Sequence, residues 1–247
     1  MEQKILILAL IAIILVVLSG MPLRTETKII SNLTKTQEIF KPENLSYTEA
    51  EIKIPAVDNQ GRGVATTLKV QAKIGEGRTL INIDQLLFWI DTQNSIRIAK
   101  AVAQNMTKLD LSKIDLIYTI EANASIIEGP SAGAAITIAT IAALQNKSVN
   151  QSVMITGTIN PDGSIGQVGG ILAKAKASKD IGATLFLVPK GQGTQVNYVP
   201  QEKCERIGPL TYCTITYKEE SIDISEKIGI KVLEVSSIYD ALKYFLI

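Results

Sequence analysis

Two short stretches of this 247-residue chain carry side chains able to make and break bonds. The first is Glu128-Gly129-Pro130-Ser131-Ala132-Gly133, at the mouth of an uncharged apolar run. A serine on a Gly-Pro turn at a helix N-terminus has its hydroxyl held out of the helical ladder. The free backbone N–H groups of that first turn can stabilise a developing oxyanion. Taken alone, the pattern is equally that of an ordinary serine N-cap. The second stretch is Gly169-Gly170-Ile171-Leu172-Ala173-Lys174-Ala175-Lys176. At about 100° per residue, Lys174 falls between Ile171, Ala175, Ser178 and Ile181 on a small, apolar helix face, and Lys176 points about 200° away. A lysine with its ordinary pKa of about 10.4 becomes a neutral base near pH 7 only through desolvation or a neighbouring cation. An alanine-lined face supplies the desolvation. The competing reading is a lysine that buries its stem and snorkels its ammonium to water.

Composition removes most other chemistries. The chain contains no histidine, which excludes a Ser-His-Asp triad, a Cys-His pair and any His-ligated zinc or haem. Two cysteines cannot hold a four-thiolate zinc or an iron–sulfur cluster on one chain. No cofactor and no metal are expected. Covalent catalysis here needs lysine, a carboxylate or an N-terminal amine as its base. With 25 basic against 24 acidic side chains, nothing marks a nucleic-acid partner.

The elements that must position these residues follow from periodicity. Glu51–Ile54 and Thr66–Ile74 alternate with period two and read as strands, as does Leu116–Ile120. A helix is predicted over about Thr92–Asn105. Residues 131 to 146, SAGAAITIATIAALQN, carry no charge and read as a helix buried on every side. Ser152–Gly157 reads as a strand, Asn160–Gly163 as a turn, 170–181 as a helix and Ala183–Val188 as a strand. A polar region spans 190 to 226. A strand over Ile230–Val235 and a helix over 237–247, capped by Ser236 or Ser237, close the chain. No regular βαβ rhythm emerges, so the expected class is α+β, with mixed β-sheets packed against helices rather than a doubly wound sheet.

The ends of that domain suggest where it lives. Ile5 to Leu18 hold no polar side chain, and counting to Leu23 gives 19 residues, close to the roughly 20 that cross a bilayer. Residues 1–23 read as an apolar helix, a signal anchor or a cleaved signal peptide, with 24–46 a juxtamembrane linker and 47–247 the globular domain. Cys204 and Cys213 flank a Gly208-Pro209 turn, so a hairpin would bring the sulfurs together as a disulfide; two free thiols are the alternative. Six N-x-[ST] sequons start at Asn32, Asn44, Asn105, Asn123, Asn146 and Asn150. Together these features point outside the cytoplasm.

The order G-P-S-A-G at 129–133, T-G at Thr156-Gly157 and G-G-x-x-x-K ending at Lys174 resembles the proteolytic domain of Lon proteases. The two later motifs fall 25 and 43 residues after the serine. The resemblance covers roughly 47–247 and implies the Lon proteolytic-domain fold with a Ser-Lys dyad, Ser131 as nucleophile and Lys174 as general base. It implies that Thr156 positions the lysine, that Glu128 is the acidic residue beside the serine, and that Gly129 helps to hold the oxyanion. The chain departs from the family in having no G-x-x-x-x-G-K-[ST] motif, in Thr158 where bacterial members commonly carry glutamate, and in a 190–226 segment resembling an insertion. The likeness is to archaeal membrane-associated Lon-like proteases without the ATPase module. It implies an ATP-independent endopeptidase acting on unfolded or flexible polypeptides, with a ring-shaped homo-oligomer as a further implication. Two other readings stand beside it: a catalytically silent Lon-like binding module, and a phosphate- or nucleotide-binding enzyme using the Gly-Pro-Ser helix N-terminus.

Overall fold

The computed structural model describes residues 47–82, 90–121 and 129–247. The expected apolar helix at 1–23, the linker at 24–46 and Glu128 lie outside the described residues. From Ser46 onward the chain forms one compact unit. Among the described residues no helix is long and apolar enough to cross a membrane.

Strands β1 (Tyr47–Val57) and β2 (Gly63–Ile74) form an antiparallel hairpin that runs from Tyr47 opposite Lys73 to Val57 opposite Gly63. Asp58 closes its turn. The carboxylate accepts hydrogen bonds from the backbone N–H groups of Gln60 and Arg62, each at 2.9 Å, and from the Arg62 guanidinium at 2.8 Å. β2 pairs antiparallel with β4 (Ile114–Glu121), and β4 pairs parallel with the short β3 (Thr79–Ile81), giving the order β1-β2-β4-β3. The register aligns Ile52, Leu68 and Ile120 in one row and Ala50, Val70 and Tyr118 in the next, all buried. Period-two alternation thus produces one apolar face.

One helix covers that face and a second backs it. Helix α1 (Ile90–Thr107) packs on α2 (Gly133–Gln145), and α2 lies against β1 and β2. Every residue of α2 from Gly133 to Ala143 is buried, which explains why it carries no polar stripe. The hydroxyls of Thr137 and Thr140 donate within the helix to the Gly133 and Ile136 carbonyls at 2.8 and 2.7 Å. Tyr118 shares a 3.0 Å hydrogen bond with Thr140, and burial pushes its phenol pKa up to about 12.

A second sheet is parallel throughout, in the order β11 (Lys231–Val235), β8 (Leu185–Pro189), β5 (Val153–Ile155). The strand expected over Ser152–Gly157 is shorter because Gly157 turns away from β8. A two-residue pairing of β6 (Thr158–Ile159) with β7 (Ile165–Gly166) follows, then helix α3 (Ile171–Asp180). The polar 190–226 region becomes a ribbon of β9 (Thr194–Ile207) and β10 (Leu210–Asp223), followed by the short α4 (Ile224–Ile228). Helix α5 (Ile238–Phe245) closes the domain. Its cap is Ser237, whose hydroxyl accepts from the Asp240 N–H at 3.2 Å. Mixed sheets packed with helices make the α+β class.

The start of α2 is packed without tolerance. A Cβ on Gly133 would lie 2.7 Å from Ile159 Cγ2 and 2.8 Å from the Ile159 backbone nitrogen. Gly133→Ala should therefore destabilise the domain by about 1–3 kcal/mol. Thermal unfolding should show a Tm lowered by several degrees, and an unchanged Tm would mean the contact relaxes freely.

Candidate active site

Ser131 lies in a 3-10 turn, Pro130–Ala132, that leads into α2. Gly129 precedes it with φ 96° and ψ 158°, a conformation that disfavours any residue with a Cβ. Pro130 occupies the first helical position, where its missing N–H leaves no donor unsatisfied. The turn is stitched to the segment after β5 in both directions. Gly157 N–H donates to the Ser131 carbonyl at 2.9 Å, and Ala134 N–H donates to the Gly157 carbonyl at 3.0 Å. Thr156, itself buried, adds a hydroxyl donated to the Ser131 carbonyl at 3.3 Å. The serine's backbone is fixed while its half-buried side chain stands in the first turn, where N–H groups lack helical acceptors.

Lys174 occupies the second turn of α3. Its entry is set by Gly170, left-handed at φ 71°, where a Cβ would lie 2.8 Å from Val57 Cγ2. Gly63 lets the start of β2 approach the helix: a Cβ there would lie 2.0 Å from the Ala173 carbonyl oxygen. On the other side Ile171 and Ala175 pack in one cluster with Met154, Phe186 and Val188. Met154 belongs to β5, the strand that leads to Thr156 and Gly157. One strand therefore supports both the serine turn and the lysine helix.

That packing leaves Lys174 only 4% exposed, whereas Lys176 is exposed as the helix phase requires. Among the described residues no carboxylate pairs with the Lys174 ammonium and no acceptor takes a hydrogen bond from it. Burial alone lowers its pKa to about 8. The face predicted for a neutral base is the buried one. Thr156 touches the serine turn: its hydroxyl bonds the Ser131 carbonyl, whereas the resemblance implied a threonine directed at the lysine.

One clamp had no signal in the sequence. The side-chain amide of Gln192 holds the peptide of Val168, just ahead of α3. It accepts from the Val168 N–H at 3.0 Å and donates to the Val168 carbonyl at 2.7 Å. The residues are 24 positions apart and neither belongs to a motif.

Cys204 and Cys213 are joined in a disulfide across β9 and β10. Among the described residues, Glu202, Cys204 and Cys213 form the one group of potential ligands close enough to share a metal. With both sulfurs in the disulfide, no thiolate remains for an ion there.

A family model described as the Lon protease (S16) C-terminal proteolytic domain matches residues 65–221, a span holding Ser131, Thr156 and Lys174. An archaeal Lon protease from Thermoplasma acidophilum is 34% identical over 90 residues, 36% of this chain and 14% of that protein. A Lon protease from Lawsonia intracellularis is 33% identical over 109 residues, 44% of this chain and 13% of that protein. One from Mycoplasma genitalium is 24% identical over 209 residues, 80% of this chain and 25% of that protein. The matched stretch thus spans a quarter or less of each of these relatives.

The unpaired buried amine has a stability signature. Below pH 8 Lys174 is protonated folded and unfolded, and the folded state carries the full cost of burying the charge. Between about 8 and 10.5 the unfolded chain holds the proton and the folded chain does not, so stability rises with pH. Lys174→Met should stabilise the protein at pH 7 by on the order of 3 kcal/mol, with the advantage shrinking toward pH 10.5. Urea unfolding at pH 7 and pH 10 reads both values, and a variant less stable at pH 7 would contradict the burial.

Proposed function

The chain belongs to the Lon protease (S16) family through its proteolytic domain, and from that premise we propose that this serine peptidase works by a Ser131–Lys174 dyad, without ATP, on unfolded or flexible polypeptides. The observation that carries the proposal is the amine of Lys174, buried without a counter-charge and so able to lose its proton near neutral pH.

The reaction follows from the two groups. As Ser131 Oγ attacks the peptide carbonyl, its proton passes to Lys174 Nζ and the carbon–oxygen bond forms. The resulting oxyanion is held by N–H groups of the 129–132 turn, with the Gly129 conformation setting their direction. Collapse breaks the carbon–nitrogen bond, and the Lys174 ammonium returns the proton to the leaving amine. Water, deprotonated by the same amine, hydrolyses the acyl-enzyme. Thr156 contributes by holding the Ser131 carbonyl, which keeps the nucleophile's backbone from moving as its hydroxyl reacts. Glu128 stands beside the nucleophile in sequence as a tuning carboxylate.

The setting is extracytoplasmic. The uninterrupted apolar run at 5–18 serves as a signal anchor, or as a signal peptide if cleaved. The Cys204–Cys213 disulfide and the sequons suit an oxidising compartment. The protein assembles as a homo-oligomer, as the family resemblance implies.

Casein or a fluorogenic peptide should be cleaved without ATP by the full chain in mild detergent. Ser131→Ala and Lys174→Arg should each reduce turnover to background, because arginine keeps the charge and cannot act as a base. For the parent, kcat/KM should rise about tenfold per pH unit below 8 and level off above it. Residual hydrolysis by folded Ser131→Ala would sink the assignment.

A further inference from the structure

Three of the six N-x-[ST] sequons fall among the described residues, at Asn105, Asn146 and Asn150. A glycan is bulky and needs an acceptor amide at the surface, and the hydroxyl two residues on is part of what is recognised. The three sites differ in what they can offer. Asn105 is exposed but lies inside α1, where the Thr107 hydroxyl donates to the Ala103 carbonyl at 2.7 Å. Asn150 is half-buried and engaged by its own serine. Its Oδ1 accepts from the Ser152 hydroxyl at 2.7 Å and the Ser152 N–H at 3.0 Å, and its Nδ2 donates to the Tyr244 carbonyl at 3.4 Å. Asn146, Lys147 and Ser148 are all exposed and follow the last turn of α2. Among the described residues neither the Asn146 amide nor the Ser148 hydroxyl makes a hydrogen bond.

We propose that Asn146 is a glycosylation site; the proposal rests on the extracytoplasmic setting of the domain. The donor is a lipid-phosphate-linked oligosaccharide, and the enzyme is an oligosaccharyltransferase. Asn146 Nδ2 bonds to the first sugar carbon, and the bond from that carbon to the lipid phosphate breaks. Its electron pair leaves with the phosphate, and the amide gives up one proton to a base of the transferase. The backbone brings the sequon out of the helix. Asn146 stands at φ 50° and ψ 48°, the left-handed conformation that ends α2. The Asn146 and Lys147 N–H groups donate back to the Ala143 and Ala142 carbonyls at 3.2 and 2.9 Å. Beyond them the Ser148 carbonyl accepts from the Ile247 N–H at 3.2 Å, so only the backbone of Ser148 is tied down. A left-handed cap by itself asks for glycine or asparagine at 146 and places no demand on residue 148. Helix α2 is about 20 Å long with Ser131 before its other end, so a glycan at Asn146 leaves the dyad uncovered.

The test is site occupancy in the full chain, produced in yeast and taken from membranes in mild detergent. Peptide N-glycosidase in heavy-oxygen water should convert Asn146 to labelled aspartate, with less label at Asn105 and Asn150. Ser148→Ala keeps the cap and should abolish the label, with kcat/KM for casein unchanged, and Ser148→Thr should retain it. Gln201→Asn with Lys203→Thr adds a control acceptor on exposed β9 and reports the compartment separately. Label at the control but not at Asn146 overturns the proposal and leaves the extracytoplasmic reading standing. Label at neither overturns both. Label at Asn105 or Asn150 equal to or above that at Asn146 also overturns the proposal, because exposure and a free hydroxyl would then not select the site.

Discussion

Burying an amine with no counter-charge is the constraint around which this domain is arranged. An ammonium in an apolar setting is destabilising unless it is paired or gives up its proton. Lys174 is unpaired among the described residues, so the surrounding packing has to hold the helix in place against that cost. The means are visible at Gly63 and Gly170. The first lets the start of β2 touch the α3 backbone, and the second turns the chain sharply into the helix against Val57. Ile171 and Ala175 then seal the lysine's face against Met154 and Phe186. Each contact is ordinary alone. Together they take the lysine side chain almost wholly out of water.

The serine side is built from backbone. Gly157 both donates to Ser131 and accepts from Ala134, so the turn and the strand exit hold one another at two points. Such a paired exchange fixes position and leaves the hydroxyl unconstrained. It also explains why the helix behind it is apolar all round: α2 is clamped between the first sheet, α1 and the second sheet, and has no face left for water. The rigidity of the Ser131 turn and the helix's composition are consequences of one packing arrangement.

Much of this was legible from local pattern. Period-two alternation located β1, β2 and β4, and the uncharged run at 131–146 announced a fully enclosed helix. The phase of α3 separated Lys174 from Lys176, because a 3.6-residue period assigns faces without knowledge of what they meet. Other features depend on residues far apart in sequence. β3, β6 and β7 are too short to show a period, and the Gln192 clamp on Val168 joins residues with no shared motif. The resemblance implied that Thr156 positions the lysine, and the hydrogen bond its hydroxyl makes is to the Ser131 carbonyl; which acceptor a hydroxyl takes is set by tertiary approach. The ribbon illustrates a different limit. Its composition read as a polar insertion, but it forms two 14-residue strands whose pairing sets Val196, Tyr198, Ile215 and Tyr217 on one face and Val199, Ile207, Leu210 and Tyr212 on the other, a distribution that exists only once the register is fixed.

The account rests on desolvation bringing the pKa of Lys174 down to about 8, so that a fraction of the amine is neutral near physiological pH, and the direct test is its titration by NMR. The 13Cε resonance of Lys174, identified by its loss in Lys174→Arg, should move with a midpoint near pH 8, while exposed lysines titrate at about 10.4. A Lys174 resonance that titrates with the others above pH 10 would show that the amine remains charged, and the dyad would lack its base.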